Sequence, residues 1–201
     1  MAATIDYYFW INSDWAYLGA DRLDAIAERN EVTINYLLVD LPDVYRRTGR
    51  VLLSQRSPER QAYRIAELKR WCRELQMPVN PEPKFMCPNG DLASRLVIAA
   101  LELPRPITPL YKQILRAEWC HEQDVSDPDV LRGILLSQGY DADALFSRAE
   151  QPDIESTYRK NTDAAVAAGV FGSPSYVYDG EVFWGQDRLE LLEKAIRLRR
   201  A

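Results

Sequence analysis

The sequence predicts an α/β domain with an all-helical insertion, and three observations lead to that fold class. Near the N-terminus two apolar segments rich in β-branched and aromatic residues flank a stretch of helical periodicity. A long series of helical patterns follows, and the chain then returns to two short strands and a last helix. We therefore expect a single domain over residues 1–201, with an α/β core at about 1–40 and 160–201 and a helical insertion at about 41–159.

The first three elements predict a βαβ unit. Residues 5–11 are typical of a buried strand, and the cap-forming residues Asn12-Ser13-Asp14 predict that a helix begins there and continues to Arg29. Residues 32–39 predict a second strand. Because the order is strand, helix, strand with short connections, we expect the two strands to be parallel.

The middle of the chain predicts six helices, since apolar residues recur there three and four positions apart. Ser57-Pro58, Asp127-Pro128 and Asp141-Ala142-Asp143 are helix start signals. The predicted helices cover residues 57–75, 91–101, 108–122, 127–138, 141–149 and 151–168. Residues 78–88 contain four prolines and predict an irregular loop.

The C-terminal part predicts a hairpin followed by a helix. Residues 175–178 and 181–184 predict strands, and Asp179-Gly180 is a strong two-residue hairpin turn. Residues 186–199 predict the last helix. Pro174 precedes the first of these strands, and the sequence alone favours an ordinary trans proline there, because only about 5% of X–Pro bonds are cis.

Composition excludes several classes of partner. The net charge of −5, from 25 basic and 30 acidic residues, favours neither nucleic acid nor an anionic membrane surface. No apolar run approaches the ~20 residues of a membrane span, and residues 1–6 lack the basic start of an export signal. Cys72, Cys87 and Cys120 show neither C-x-x-C nor metal-ligand spacing. We expect a cytoplasmic protein with free thiols and no metal.

Two places stand out as candidates for chemistry. Ser13 follows the first strand and begins a helix, where backbone N–H groups and the helix dipole favour an anion such as a thiolate. Position alone, however, favours a simple helix cap by Ser13 or Asn12. The segment before Pro174 leaves backbone groups free to pair with an extended peptide.

The order β–α–β, helices, then α–β–β–α with a proline at the third strand is the arrangement of thioredoxin-like domains. In such domains the loop after the first strand faces the loop before that proline, so we expect Ser13 and Pro174 to lie close together.

The chain also resembles the 2-hydroxychromene-2-carboxylate isomerase family, which is close kin to the kappa-class glutathione transferases and to DsbA. The resemblance covers nearly the whole chain and is strongest over residues 161–174 and 183–189. Further matches are Tyr8-Phe9…Ser13…Tyr17-Leu18 at the start of the chain and Trp119…Asp124-Val125…Asp127 in the helical insertion.

The resemblance implies a glutathione site. Ser13 matches the serine that holds the glutathione sulfur as a thiolate, and the backbone of Ser173, before a cis Pro174, pairs with the glutathione peptide. The other positions where the family binds glutathione are Gln186 and Asp187 at its γ-glutamyl end, and Asn89 and Arg60 around the site.

The implied activity is glutathione-dependent isomerisation of 2-hydroxychromene-2-carboxylate or a related intermediate of aromatic catabolism, in a homodimer. A thiolate adds to a conjugated carbon, a bond rotates and the thiol leaves. One alternative is a kappa-like transferase that conjugates electrophiles, and another is a non-catalytic thioredoxin-like binding protein. A dithiol oxidoreductase is disfavoured, because Ser13-Asp14-Trp15-Ala16 holds no cysteine.

Three positions depart from the family pattern. Asp14 stands where many relatives have proline, and a carboxylate beside a thiolate is unfavourable unless it points away. Trp10 replaces a residue that is often acidic, and Gly49-Arg50 replaces a frequent Gly-Asn pair. We therefore expect a substrate pocket that differs from that of the relatives.

Overall fold

A computed structural model describes residues 3–199 and contains a four-stranded mixed sheet. The strands are β1 (Thr4–Phe9), β2 (Thr33–Leu38), β3 (Ser175–Tyr178) and β4 (Glu181–Trp184), in the spatial order β2-β1-β3-β4. β1 pairs with β2 in parallel, and β3 pairs antiparallel with both β1 and β4. The predicted parallel pair and hairpin are confirmed.

The described residues form nine α-helices: α1 (Asp14–Arg29), α2 (Leu41–Thr48), α3 (Pro58–Leu75), α4 (Asp91–Ala100), α5 (Thr108–His121), α6 (Pro128–Ser137), α7 (Ala142–Ala149), α8 (Pro152–Ala167) and α9 (Leu189–Leu198). The seven helices predicted before the hairpin are confirmed. The last predicted helix begins instead as a 3₁₀ turn, Gln186–Arg188, before α9.

Helix α2 was not predicted. Its signals are an N-cap at Asp40, whose side chain accepts from the backbone N–H of Asp43 at 3.2 Å, and Gly49 in the left-handed conformation at its end. The helix has only eight residues, so the buried Leu41, Val44 and Tyr45 are too few to establish a helical period.

Alternate residues of β1 face two apolar layers. Tyr7 and Phe9 stack with ring centroids 4.5 Å apart and lie in the larger core with α1 and α5. Tyr8 points to the opposite face, where it packs with residues such as Val44 of α2 and Ala165 of α8. Because both faces of β1 are buried, this strand is a fixed support for the loop at its carboxyl end.

Among residues 3–199, we find no helix with both the length and the apolar character needed to cross a membrane.

Candidate active site

Ser13 lies between β1 and α1, and its hydroxyl is the N-cap of α1. Its Oγ accepts from the backbone N–H of Ala16 at 3.2 Å, and its O–H is directed at the backbone oxygen of Ser173, 3.5 Å away. The side chain is buried at the edge of a cavity. The cap interpretation is therefore correct, but it uses only the acceptor side of the hydroxyl, and the donor side makes one long contact.

The Ser173–Pro174 peptide bond is cis, as the family resemblance implied and contrary to the sequence-only expectation of trans. Ser173 lies beside the Ser13 loop, because the backbone N–H of Trp10 donates to Ser173 Oγ at 2.8 Å. The antiparallel pairing of β1 with β3 brings the end of one strand to the start of the other. The predicted closeness of Ser13 and Pro174 thus follows from strand pairing.

A cavity of about 540 Å³ opens in front of these two loops. Both Ser13 and Ser173 line it. Its apolar wall is formed by Trp10, Trp15, Leu41, Pro42, Tyr45, Leu52, Leu53, Ile65, Pro81, Pro83, Met86 and Trp119. Trp10, a departure from the family pattern, therefore contributes an indole to the cavity wall.

Asp14 forms a buried ion pair with Arg64 of α3, and both residues line the cavity. Burial raises the pKa of Asp14, and the guanidinium of Arg64 and the backbone N–H of Trp15 partly oppose that rise. The same guanidinium stands 5.5 Å from the ring centroid of Trp119. Asp14 thus lies in the cavity wall next to Ser13, and the guanidinium of Arg64 balances its charge.

A second buried carboxyl, Glu118 of α5, holds the loop before Ser13. Its two oxygens accept from Asn12 Nδ2 at 3.0 Å and from the backbone N–H of Cys87 at 2.8 Å. Trp119 Nε1 donates to the backbone oxygen of Asn12 at 3.2 Å. Burial raises the pKa of Glu118 to about 8, although both donors act in the opposite direction. Helix α5 therefore fixes the residue that precedes Ser13.

Gln186 and Asp187, predicted at the γ-glutamyl end, follow Gly185, whose N–H donates to the Pro174 oxygen at 2.9 Å. The Gln186 side chain is buried away from the cavity wall, and its Oε1 accepts from Arg22 Nη1 at 2.6 Å. The Asp187 carboxylate is 40% exposed and pairs with its neighbour Arg188. The Asp187 carboxylate is thus exposed but outside the cavity wall, whereas the Gln186 side chain is held by Arg22, and the roles predicted for both residues remain predictions.

Asn89 and Arg60 do not line the cavity. Asn89 is exposed, and its Oδ1 accepts from the backbone N–H of Asp91 at the start of α4. Arg60 is exposed in the first turn of α3. The roles predicted for both residues remain predictions.

The sequence did not reveal three residues of this site. Arg56 and Arg64 line the cavity, and Glu118 holds the loop before Ser13. Arg64 is 50 residues from Asp14 in the chain, and Glu118 is 106 residues from Asn12. No local pattern marks such pairs, because each is made by the packing of the helical segments on the β1–α1 loop.

The fold and this site define the class of the protein. The DSBA-like thioredoxin domain family matches residues 4–197, and the chain belongs to that family. The predicted thioredoxin-like fold is therefore confirmed.

Individual proteins similar to this chain indicate a more specific class within the family. A 2-hydroxychromene-2-carboxylate isomerase of Sphingobium xenophagum is 32% identical over 195 residues, which cover 96% of this chain and 97% of that protein. A solved structure of a 2-hydroxychromene-2-carboxylate isomerase has a TM-score of 0.80 at 25% identity and covers 98% of this chain and 96% of its own. The human glutathione S-transferase kappa 1 is 25% identical over 147 residues, 67% of this chain and 65% of that protein. The predicted resemblance to isomerases of this kind is confirmed, and with it an enzyme of the isomerase type.

Proposed function

We propose that the chain is a glutathione-dependent isomerase acting on 2-hydroxychromene-2-carboxylate or a related intermediate of aromatic catabolism. The observation that carries this proposal is the position of the Ser13 hydroxyl. It caps the N-terminus of α1, and Ser13 lies in the cavity wall beside the backbone of Ser173. The isomerase relative supports the proposed substrate, and the kappa-class glutathione transferase supports the proposed thiol. In this proposal the enzyme is cytoplasmic and dimeric.

The residues of the site suit glutathione. The cavity, at about 540 Å³, falls within the ordinary range of small-molecule sites. Ser13 offers a hydroxyl for the sulfur, and the loop around the Ser173–Pro174 bond offers backbone groups for a peptide. The exposed carboxylate of Asp187, near that loop, suits an α-amino group.

Ser13 is proposed to stabilise a thiolate by hydrogen bonding. Its acceptor side stays with the N–H of Ala16, while its O–H turns from the distant Ser173 oxygen to the sulfur. A hydrogen bond to a charged group contributes about 1.5–3 kcal/mol, which corresponds to a tenfold or greater gain in thiolate population. Bound glutathione supplies the nucleophilic sulfur whose reversible addition permits rotation about a formerly double bond.

The apolar wall is proposed to receive the aromatic part of the substrate. Trp10 and Trp15 flank the Ser13 loop in sequence, and Ile65 and Met86 come from other segments of the wall. Their burial of an aromatic ring would exclude water from the reacting carbon and orient the ring through stacking contacts.

A kappa-like transferase is the second candidate, favoured by the relative of that name. It would use the same Ser13 and cavity, and would differ in releasing a stable conjugate instead of an isomer and free glutathione. Chromatographic analysis of the products after incubation with glutathione and 2-hydroxychromene-2-carboxylate separates the two activities.

The test of the proposed function is titration calorimetry of glutathione into the wild type and the Ser13→Ala variant at several pH values. We expect the wild type to bind with release of a proton, and Ser13→Ala to lose that release and at least nine-tenths of its isomerase activity, following the tenfold estimate above. A wild type that does not bind glutathione would overturn the proposal.

Ser13→Ala also removes the N-cap of α1, so a control for lost capping is needed. Asp141 caps α7 through the backbone N–H of Ala144 at 3.0 Å and lies outside the cavity. Asp141→Ala should lose a comparable ~1 kcal/mol of stability and keep both proton release and activity. If Asp141→Ala lost as much proton release and activity as Ser13→Ala, the effect of Ser13→Ala would come from lost capping alone.

A further inference from the structure

We propose that Arg56, with the hydroxyl of Tyr45, binds the carboxylate of an aromatic substrate in the cavity wall. The inference deepens the proposed function and rests on it for the identity of the substrate. It assigns a specificity-determining residue in the loop that follows Gly49-Arg50, one of the departures from the family pattern.

Arg56 carries a positive charge into the cavity without a carboxylate partner among residues 3–199. Its Nη2 donates to the Tyr45 hydroxyl at 3.4 Å, and no ion pair reaches it. Arg64, the other arginine of the wall, is neutralised by Asp14, and no ion pair joins Arg56 to the wall residue Glu82. A half-buried guanidinium without a counter-ion is a strong site for a planar carboxylate.

The backbone of Arg56 is held in place before any ligand arrives. Its N–H donates to the Leu53 oxygen at 3.1 Å, and its oxygen accepts from Gln61 Nε2 of α3 at 2.8 Å. The backbone that carries the guanidinium is therefore fixed at both its N–H and its carbonyl. This lowers the entropy cost of binding a ligand to the guanidinium.

Two further arginines, Arg50 and Arg60, lie in the neighbourhood of Arg56 but outside the cavity wall. Arg50 stands over the rings of Trp184, Phe171 and Tyr45, at 4.4, 5.3 and 5.4 Å from their centroids. Burial lowers the pKa of Arg50, Tyr45 partly opposes that effect, and the positive charges of Arg56 and Arg60 add to it. None of the three arginines forms an ion pair among the described residues, so the region of the cavity around Arg56 attracts anions.

The surroundings of Arg56 select an aromatic anion over a purely polar one. Leu52 and Leu53 precede it and Tyr45 contacts it, and all three line the cavity. A carboxylate on the guanidinium therefore has apolar surface beside it, which suits a ring attached directly to the carboxylate.

The test compares Arg56→Gln, Arg56→Lys and a matched control in binding of 1-naphthoate and of its uncharged analogue 1-naphthamide. Titration calorimetry should show that Arg56→Gln weakens 1-naphthoate binding about 10- to 100-fold, the range that loss of charge-assisted hydrogen bonds gives. Arg56→Lys should retain an intermediate affinity. Binding of 1-naphthamide should change less than about threefold in either variant, a margin about the size of a neutral contact.

Arg46→Gln is the matched control, because Arg46 lies on α2 next to Tyr45, is 74% exposed and is outside the cavity. It should bind 1-naphthoate as the wild type does. Circular dichroism of each variant establishes that it is folded. Equal 1-naphthoate affinity in Arg56→Gln and the wild type would overturn the inference, and so would a parallel loss for 1-naphthoate and 1-naphthamide.

Steady-state kinetics with glutathione and 2-hydroxychromene-2-carboxylate add a second readout. Arg56→Gln should raise KM about 10- to 100-fold with a smaller change in kcat, and its glutathione affinity should stay that of the wild type. Weakened glutathione binding with unchanged 1-naphthoate binding would assign Arg56 to glutathione and overturn the inference. A wild type without isomerase activity would overturn the proposed function alone, since the naphthoate comparison does not depend on turnover.

Discussion

Asp14 directly follows the candidate serine, so its charge bears on any anion bound there. Its partner Arg64 is only 10% exposed, and the Asp14 side chain is 6% exposed. Removal of one member of so buried a pair leaves a charge without compensation, whereas removal of both does not. Each member of the pair is therefore needed once the other is present, and Arg64 offsets the charge that Asp14 would direct at the thiolate proposed beside Ser13.

Arg64→Leu should lower the free energy of unfolding by about 3 kcal/mol, because it leaves the Asp14 carboxylate buried and unpaired. Urea denaturation measures the change. The double variant Asp14→Ala/Arg64→Leu should lose less than the sum of the two single variants. Arg132→Leu breaks the exposed pair with Asp143 and should cost less than about 1 kcal/mol. If the stability losses of the two single variants add up to that of the double variant, Asp14 and Arg64 are not coupled.

Glu118 predicts a pH dependence of stability. Its ordinary pKa of 4.5 is raised to about 8 by burial, so between these values the folded chain keeps a proton that the unfolded chain releases. The stability from this proton is complete below pH 4.5, is lost as the pH rises towards 8, and changes no further above that pH. The slope inside the window is at most about 1.4 kcal/mol per pH unit.

Glu118→Gln should therefore remove a negative slope of stability between about pH 5.5 and 8. Urea denaturation of the wild type and the variant across this range measures the difference, in which the contributions of other titrating groups cancel. Parallel stability curves for the two proteins would show that Glu118 is ionised in the folded state at neutral pH.

At the scale of elements, helix α2 carries Tyr45 into the cavity and ends at Gly49, with Arg50 immediately after it. Gly49 has a φ of 76°, and no atom lies within 4 Å of the position that a Cβ would occupy there. A side chain at this position would be strained by the backbone conformation alone and not by a clash. The end of α2 thus depends on glycine.

Gly49→Ala should lower the free energy of unfolding by about 1 to 2 kcal/mol, the cost of a left-handed backbone for a residue with a Cβ. Gly133→Ala is its counterpart, since Gly133 lies inside α6, is exposed and also has open space around it. That change should raise stability by roughly 0.5–1 kcal/mol. Thermal unfolding compares the two, and a destabilised Gly133→Ala would contradict the argument.

Elements with a clear period or strong end signals were predictable from sequence. The Asp179-Gly180 turn and the aromatic and β-branched composition of β1 indicated the strands, and Ser57-Pro58 marked the start of α3. Helix α2 was missed because two turns give too few apolar positions for a period. Asp40 and Gly49 were its visible signals, so cap chemistry would have found a helix that periodicity did not.

At the scale of the whole molecule, the helical segments and the sheet share the larger apolar core. The Phe9 ring of β1 lies 4.8 Å from that of Tyr111 in α5, and α5 also holds Asn12 through Glu118 and Trp119. The division into an α/β core and a helical insertion, predicted from sequence, describes only the order of elements along the chain. In the folded protein, side chains of the helical segments pack directly against the sheet.

We expect one cooperative unfolding transition for the whole chain, because the shared core leaves no separate apolar interior for the described helical segments. Urea denaturation followed by tryptophan fluorescence and by far-ultraviolet circular dichroism should give coincident curves. Two separated transitions would show that the helical segments unfold independently of the sheet.

The candidate site was predictable only where its residues lie at the ends of predicted strands. Ser13 and Pro174 follow from strand ends and from the fold, since β1 and β3 pair side by side. Arg56 and Glu118 reach the site through packing of segments far apart in the chain, and a single sequence holds no local sign of such packing.

Cys87 lies in the cavity wall, where burial and the adjacent Glu118 raise the pKa of its thiol. At neutral pH this sulfur stays protonated and is a poor nucleophile. An electrophile held in the cavity would therefore react with a sulfur brought in by a ligand in preference to Cys87. In the enzyme proposed here, Cys87 would thus be protected against alkylation by the substrates that pass through the cavity.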